Sequence, residues 1–489
     1  MRRATRPRGR TRGRTRGRAL TPVRRRIGVS RLSGEAWPRK QLMAASGVWL
    51  HAAIVVSLAP LQRAATHTHD VVASGDKPVG GQPSIGSPVF EPPVLIASSN
   101  TSCGQPTNFY AADEHNIFGF SLDGSLIHSS NGGKTWKEAS HKTSFPYPMI
   151  KIGLDKARSI SAAMPLPTDD NGTAAGPRSF AAASGATEYS LTASGDLQGA
   201  PATHAVSFVG LPHGSVATCS GYPDGGSCYC GDFGPKYGYN GIPHGRYPGD
   251  GLVFYGSTTL PDGTALVSSP VCEDGSIRNS IAVFGAVSPF TDFSFRGWAT
   301  RGSDFHFQNY TTGPSEHALT VLEDGTAMLV FRNDGDGSCE NPVGMYHNFY
   351  QSFSSNGGRA WTKAEPIAGS GCAWPEAVTL PKGPTVIVSG RLCVEGMQGA
   401  FLWTHPAPNK AGAAQEYKRF SIPYYHNQGW TGDKSFLFDD PRGNATSSYT
   451  SAISSYNGLV ALQHSVVAFY THTVGARVSL FALKADFAL

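Results

Sequence analysis

From about Cys103 to the C-terminus, the apolar positions fall into short runs separated by turn residues, with no sustained heptad or amphipathic helical pattern after residue 70. One unit recurs: an apolar run, a tight turn built on Asp-Gly or a close variant, and a second apolar run. It occurs in FGFSLDGSLIHSS, STTLPDGTALVSS, ALTVLEDGTAMLVF and AVTLPKGPTVIVSG. Each predicts an antiparallel hairpin, because Gly supplies the positive φ that such turns require. In the second half the hairpins return at intervals of about 50 to 60 residues, the length of a four-stranded propeller blade. Six units follow, near 106–140, 180–240, 252–310, 316–367, 372–422 and 448–489. The expected architecture is all-β: a six-bladed β-propeller preceded by a disordered Arg-rich arm and a hydrophobic leader.

Composition sharpens this picture. Among 489 residues there are 58 Gly and 34 Pro, and only 16% are charged, which suits many strands and turns. The formal charge of +6 is misleading, because residues 1–40 alone carry fourteen Arg, one Lys and one Glu. The rest of the chain is acidic, with 26 basic and 34 acidic side chains. The arm, residues 1–42, has almost no apolar residues to bury and is expected to be disordered. It lacks the aromatics that interleave with Arg in single-strand binders, so no nucleic-acid partner is expected. Residues 43–65 contain the apolar run Val48–Leu58 and predict a signal peptide or signal anchor. Either sends the chain into the secretory pathway, secreted or membrane-anchored, with membrane contact only through that segment. Residues 66–102 are Gly-, Pro- and Ser-rich and read as a linker, leaving 103–489 as the folded domain, expected to be a monomer.

Two further features fit secretion. Glycosylation sequons begin at Asn100, Asn171, Asn309 and Asn444. The eight cysteines (Cys103, Cys219, Cys228, Cys230, Cys272, Cys339, Cys372 and Cys393) form an even set that could make up to four disulfides. Cys228 and Cys230 are too close in sequence for a zinc knuckle, and no His-rich motif accompanies them, so no metal site is expected there.

Ser129-Ser130-Asn131-Gly132-Gly133-Lys134-Thr135-Trp136 nearly repeats as Ser354-Ser355-Asn356-Gly357-Gly358-Arg359-Ala360-Trp361. Both resemble the Asp-box (BNR repeat) of the sialidases, or neuraminidases, with Asn in the Asp position. In that family the box is a structural turn away from the active site. The order of the remaining motifs resembles the family too. Glu316 precedes a strand, an Asp324-Gly325 turn follows, and Arg332 closes the returning strand ahead of the second box. The resemblance implies that Glu316 activates a tyrosine nucleophile and that Arg332 binds a substrate carboxylate. It places a second carboxylate-binding group at Arg391, after Val386–Gly390. The nucleophile falls at Tyr449 in Ser447-Ser448-Tyr449-Thr450-Ser451-Ala452, with Tyr456, Tyr425 and Tyr424 as competitors. Asp274 is the candidate acid/base, with Asp113 and Asp250 as alternatives.

The chemistry explains these residue types. A sugar with a carboxylate on its anomeric carbon suits guanidinium groups, which clamp a carboxylate through two parallel hydrogen bonds. That same charge would repel a carboxylate nucleophile, whereas a tyrosine hydroxyl activated by a nearby base avoids the repulsion. The chain departs from the family pattern at its start. No Phe-Arg-Ile-Pro-like segment is present and no Arg occurs between Arg63 and Arg158, which leaves Arg246 or Arg278 to supply the first arginine. The resemblance implies an exo-glycosidase that hydrolyses terminal sialic or related nonulosonic acid from glycoconjugates, with acidic glycans as partners and with no metal or organic cofactor. The alternative is a catalytically inactive propeller that binds carbohydrate or protein.

Overall fold

The computed structural model describes residues 87–100, 109–123, 125–142, 149–151, 156–160, 184–190, 202–212, 216–217, 254–273, 279–305, 311–335, 348–371, 374–389, 399–410, 412–438 and 456–488. They form an all-β propeller. Three four-stranded sheets are simple antiparallel meanders: Tyr110–Ala111 to Lys137–Lys142, Thr311–Val321 to Glu365–Pro366, and Glu376–Thr379 to Lys418–Ser421. The closing sheet has five strands, and one larger sheet has nine.

Among the described residues, five hydrogen-bonded sheets therefore stand where six blades were expected. The difference arises at Ala202–Val209, which pairs in parallel with Asp292–Thr300 through Ser207–Val209. That short ladder joins the meander Met149–Lys151 to Ala202–Val209 with the meander Gly256–Thr259 to Asp292–Thr300.

The predicted hairpins are present, and the turns at Gly263, Gly325 and Gly383 share one hydrogen-bond scheme. Gly263 N–H donates to Leu260 O at 2.9 Å, Gly325 N–H to Leu322 O at 2.9 Å and Gly383 N–H to Leu380 O at 3.0 Å. The Asp262 and Asp324 carboxylates accept from the backbone of Thr264 and Thr326, both at 2.9 Å. Those bonds hold both carboxyls below the usual carboxylate range. The two near-identical octets are also alike in structure. Ser129 Oγ donates to Asn131 Oδ1 and Ser354 Oγ to Asn356 Oδ1, each at 3.0 Å. The same Asn oxygens accept from Thr135 N and Ala360 N at 2.9 Å, and each Trp indole donates to the second Gly carbonyl at 3.0 Å.

The core lies between neighbouring sheets, so successive residues of one strand serve two interfaces. Ile281 and Val283 pack towards Leu319, Leu329 and Phe331, whereas Ala282 and Phe284 pack towards Phe208, Phe254 and Phe293. Met328 and Val330 face Ile387 and Trp403 of the next sheet. Burial on both faces explains why the strands read as continuous apolar runs. The first strands of successive sheets pack side by side about the axis, and Gly256 lies at one close approach between them. A Cβ there would lie 2.8 Å from Leu319 N.

Closure comes from the two ends of the folded region. Val94–Ser99 and Val89–Phe90 both pair antiparallel with Arg477–Asp486, the last strand. Lys484 Nζ bonds the Glu91 carboxylate at 2.7 Å and that of Asp486 at 2.9 Å. These strands lie inside residues 66–102, which read as a linker. Between the Pro and Ser residues, Val94–Ala97 supplies enough apolar surface to join the sheet. One α-helix of eight residues, Ile422–Gly429, packs beside this sheet, with Ser421 Oγ accepting from Tyr424 N and Pro423 in its first turn.

Two substitutions test this description. Gly256→Ala should lower stability by about 1–3 kcal/mol through the overpacked contact with Leu319. Asn356→Ala should cost about 1–2 kcal/mol and Asn356→Asp, which keeps both acceptor bonds, less than about 0.5 kcal/mol. Urea unfolding followed by tryptophan fluorescence measures each.

Candidate functional site

In the sheet that begins at Thr311, the first-to-second and third-to-fourth turns lie at one end, and strand starts lie at the other. Glu316 and Arg332 sit mid-way along the first and second strands, Thr311–Val321 and Ala327–Gly335, and not ahead of the one and at the close of the other as the sequence suggested. A bulge brings them together. The register runs Pro314↔Asn333 and then His317↔Phe331, so Ser315 and Glu316 share the single opposing residue Arg332. Bulges re-aim side chains in this way. Arg332 Nη1 donates to Glu316 Oε2 at 2.7 Å, with the side chains only 16% and 13% exposed.

The other carboxylate oxygen, Glu316 Oε1, accepts from the Tyr456 hydroxyl at 2.6 Å. Tyr456 stands two residues before Gly458–Ala461, the first strand of the closing sheet. Trp374 and Tyr255 occupy comparable places just before Glu376–Thr379 and Gly256–Thr259. The fold therefore brings a carboxylate and a guanidinium from one hairpin to the same point as a phenol 140 residues away in sequence. Trp374 meets Tyr456 edge-on at 5.9 Å between ring centroids and Tyr255 at 4.7 Å. The cluster unites a proton acceptor, a hydroxyl that donates to it, and a cation that neutralises the acceptor's charge.

Of the residues expected from the sequence, Glu316 and Arg332 are brought together. Tyr449, Asp274 and Arg391 lie outside the described residues, as do Asp250, Arg246 and Arg278. The hydroxyl on Glu316 belongs to Tyr456, one of the competitors to Tyr449. Tyr425 stacks on Phe90 at 3.7 Å and Tyr424 packs against Tyr425, so both serve the helix interface. Asp113 caps a turn at the opposite end, accepting from the His115 and Asn116 backbone at 2.8 Å. Trp374, Tyr255 and His317 were not anticipated. The shared signal for Tyr255, Trp374 and Tyr456 is an aromatic one or two residues ahead of a first strand.

Two of the buried histidines, His317 and His426, are held neutral by their surroundings. His317, beside Glu316, is completely buried, and burial pushes its pKa down to about 4 against the pull of the Ser315 and Ser268 backbone and the Glu316 charge. His426 in the helix is also buried, with Nδ1 2.7 Å from the Tyr470 hydroxyl. Burial, then the nearby His472, lowers its pKa to about 4.

Arg332→Met leaves the Glu316 carboxylate without its cation and should cost roughly 3 kcal/mol, measurable by urea unfolding. The histidines give a second expectation. Both fold as neutral rings, so between pH 6.5 and pH 4 the unfolded chain binds protons that the native state refuses. Stability should fall across that window as pH drops, by up to about 3 kcal/mol for each ring. His426→Gln should flatten the slope in melting curves taken from pH 7.5 to pH 4.5; an unchanged slope would count against this assignment.

No protein-family model matches the sequence, and no curated protein matches it. Among solved structures, the chain is similar to a protein of unknown function from Dyadobacter fermentans, with a TM-score of 0.48 and 13% identity over 82% of this chain and 100% of that one. It is also similar to an α-L-arabinofuranosidase from Fusarium graminearum, with a TM-score of 0.43 and 11% identity over 83% and 98% of the two chains. The Trypanosoma rangeli sialidase gives a TM-score of 0.39 and 12% identity over 82% of this chain and 55% of that one.

Proposed function

We propose that this chain is an exo-glycosidase of sialidase type, secreted or membrane-anchored, that hydrolyses terminal sialic or related nonulosonic acid from acidic glycans. The observation that carries the reading is the 2.6 Å bond from the Tyr456 hydroxyl to Glu316. A phenol aimed at a carboxylate that a guanidinium neutralises is an arrangement suited to nucleophilic attack on an anionic sugar.

In the first step Tyr456 Oη attacks the anomeric carbon as its proton passes to Glu316 Oε1. The bond to the leaving oxygen breaks, and an acid delivers a proton to that oxygen; Asp274 is the candidate. In the second step water attacks the same carbon, the conjugate base of that acid takes the water's proton, and Tyr456 Oη leaves with the proton held on Glu316. Two displacements return the starting configuration. Arg332 lies close enough to the reacting pair to meet the substrate carboxylate, with Arg391 as its proposed companion.

The test is hydrolysis of a fluorogenic α-sialoside by protein expressed from about residue 70. Tyr456→Phe should lower kcat by about 10³-fold or more, and Glu316→Gln by about 10²- to 10⁴-fold. Tyr449→Phe should stay within about threefold of the parent, and a neutral arabinofuranoside, which offers Arg332 no carboxylate, should not be cleaved. Loss of turnover in Tyr449→Phe but not in Tyr456→Phe would return the nucleophile to Tyr449. No turnover from folded parent protein would favour the non-catalytic, glycan-binding propeller.

A further inference from the structure

We infer that His317 is a positioning residue for Glu316: its imidazole clamps the bulge that carries the carboxylate and anchors a closed ring of side chains that also aims Tyr456. The inference rests on the reading of Glu316 and Tyr456 as the reactive pair. Three observations support it.

The first is local. His317 Nδ1 lies 2.6 Å from the carbonyl oxygen of Ser315. A carbonyl only accepts, so Nδ1 carries the proton and donates. The bond spans Glu316, joining the residue before it to the residue after it. Bulged residues lose their ladder partners, and Ser315 and Glu316 are the two that face one residue across the ladder. The side chain of His317 therefore adds a constraint at the place where the ladder register shifts.

The second is burial. His317 has no exposed surface, and a buried neutral imidazole is held in one tautomer by the hydrogen bond it makes. No proton-transfer role in the reaction is assigned to it, because alternation along the strand points Glu316 and His317 to opposite sides.

The third is connectivity. The His317 ring packs against Tyr255 at 5.4 Å, Tyr255 against Trp374 at 4.7 Å, and Trp374 against Tyr456 at 5.9 Å. The Tyr456 hydroxyl then bonds Glu316, the chain neighbour of His317. Tyr255 is further tied by its N–H to the Ser268 carbonyl at 3.2 Å. The ring closes on itself through residues from four sheets, so a displacement at His317 reaches the phenol by two routes, through the Glu316 backbone and through the aromatic contacts.

The test compares His317→Asn with His317→Leu. The Asn side chain carries its N–H on the same Cγ as the imidazole Nδ1 and can remake the bond to Ser315 O; Leu fills the space without a donor. Two readouts are taken. One is turnover of the fluorogenic sialoside. The other is the fluorine resonance of 3-fluorotyrosine placed at position 456, which reports the phenol's surroundings without turnover. His317→Leu should shift or broaden the fluorine line and lower kcat about tenfold or more, with KM within about twofold, because orientation rather than binding is lost. His317→Asn should follow the parent in both.

An unmoved fluorine line in folded His317→Leu would overturn the proposal, as would an Asn variant displaced as far as Leu. If the Leu variant fails to fold, the Asn variant decides alone: parent-like shift and kcat support the clamp, and an altered shift in folded protein overturns it. If the parent cleaves no sialoside, the fluorine line still answers, and the hydrolase reading falls without the positioning role.

Discussion

A ring of sheets depends on the bond between its last member and its first. Here Val94–Ser99 lies on Arg477–Asp486, with Ser98 Oγ 2.8 Å from Ser479 Oγ across 381 positions of sequence. Closing so long a loop costs conformational entropy, though that cost grows only slowly with length. It is offset because closure leaves the closing sheet with buried partners on both sides. Leu459, Val466, Tyr470 and Phe481 pack towards Leu380, Val386 and Leu402 on one side, and Val467 and Phe469 towards Ile117 on the other. Each interface is built from alternate residues of the same strands, so loosening one sheet exposes two cores.

The candidate site draws on that closure. Tyr456 and Glu316 belong to different sheets, 140 residues apart, and meet only because the first strands converge at the axis. Holding a carboxylate where it is mostly shielded from water is costly unless it is paired and hydrogen-bonded. Arg332 and Tyr456 each take one of its oxygens, so the charge is compensated and each oxygen has a donor. The bulge that makes this possible breaks the regular ladder, and the buried His317 bond to Ser315 replaces part of what the ladder loses.

The sheets divide the work along their length. One end carries standardised turns, in which Asp or Asn side chains and positive-φ glycines satisfy the backbone locally. Such turns depend little on their neighbours, which is why the same scheme serves several sheets. Away from those turns lie Glu316, Arg332, Trp374 and Tyr456, whose geometry is set by partners on other strands.

That division also marks how far the sequence could be read. Hairpins, box turns and the placing of Glu316 and Arg332 on either side of one hairpin were legible because each is local, whereas the ion pair between the two was not foreseen. The apolar runs announced the strands, and their burial on both faces emerged from the packing of neighbouring sheets. What the sequence could not settle depends on distance. Ser448-Tyr449 and Ser455-Tyr456 share the same local motif, and only the placement of Tyr456 ahead of the strand at Gly458 shows which hydroxyl reaches Glu316. The five-sheet arrangement turns on a three-residue parallel ladder at Ser207–Val209 with no motif of its own. The Gly- and Pro-rich stretch around Val94–Ser99 becomes a closing strand only when Arg477–Asp486 is present to pair with it. Local chemistry determined turns, strands and one half of the site; tertiary structure decided the rest, because register between strands is set by packing at the axis and not by the residues of either strand alone.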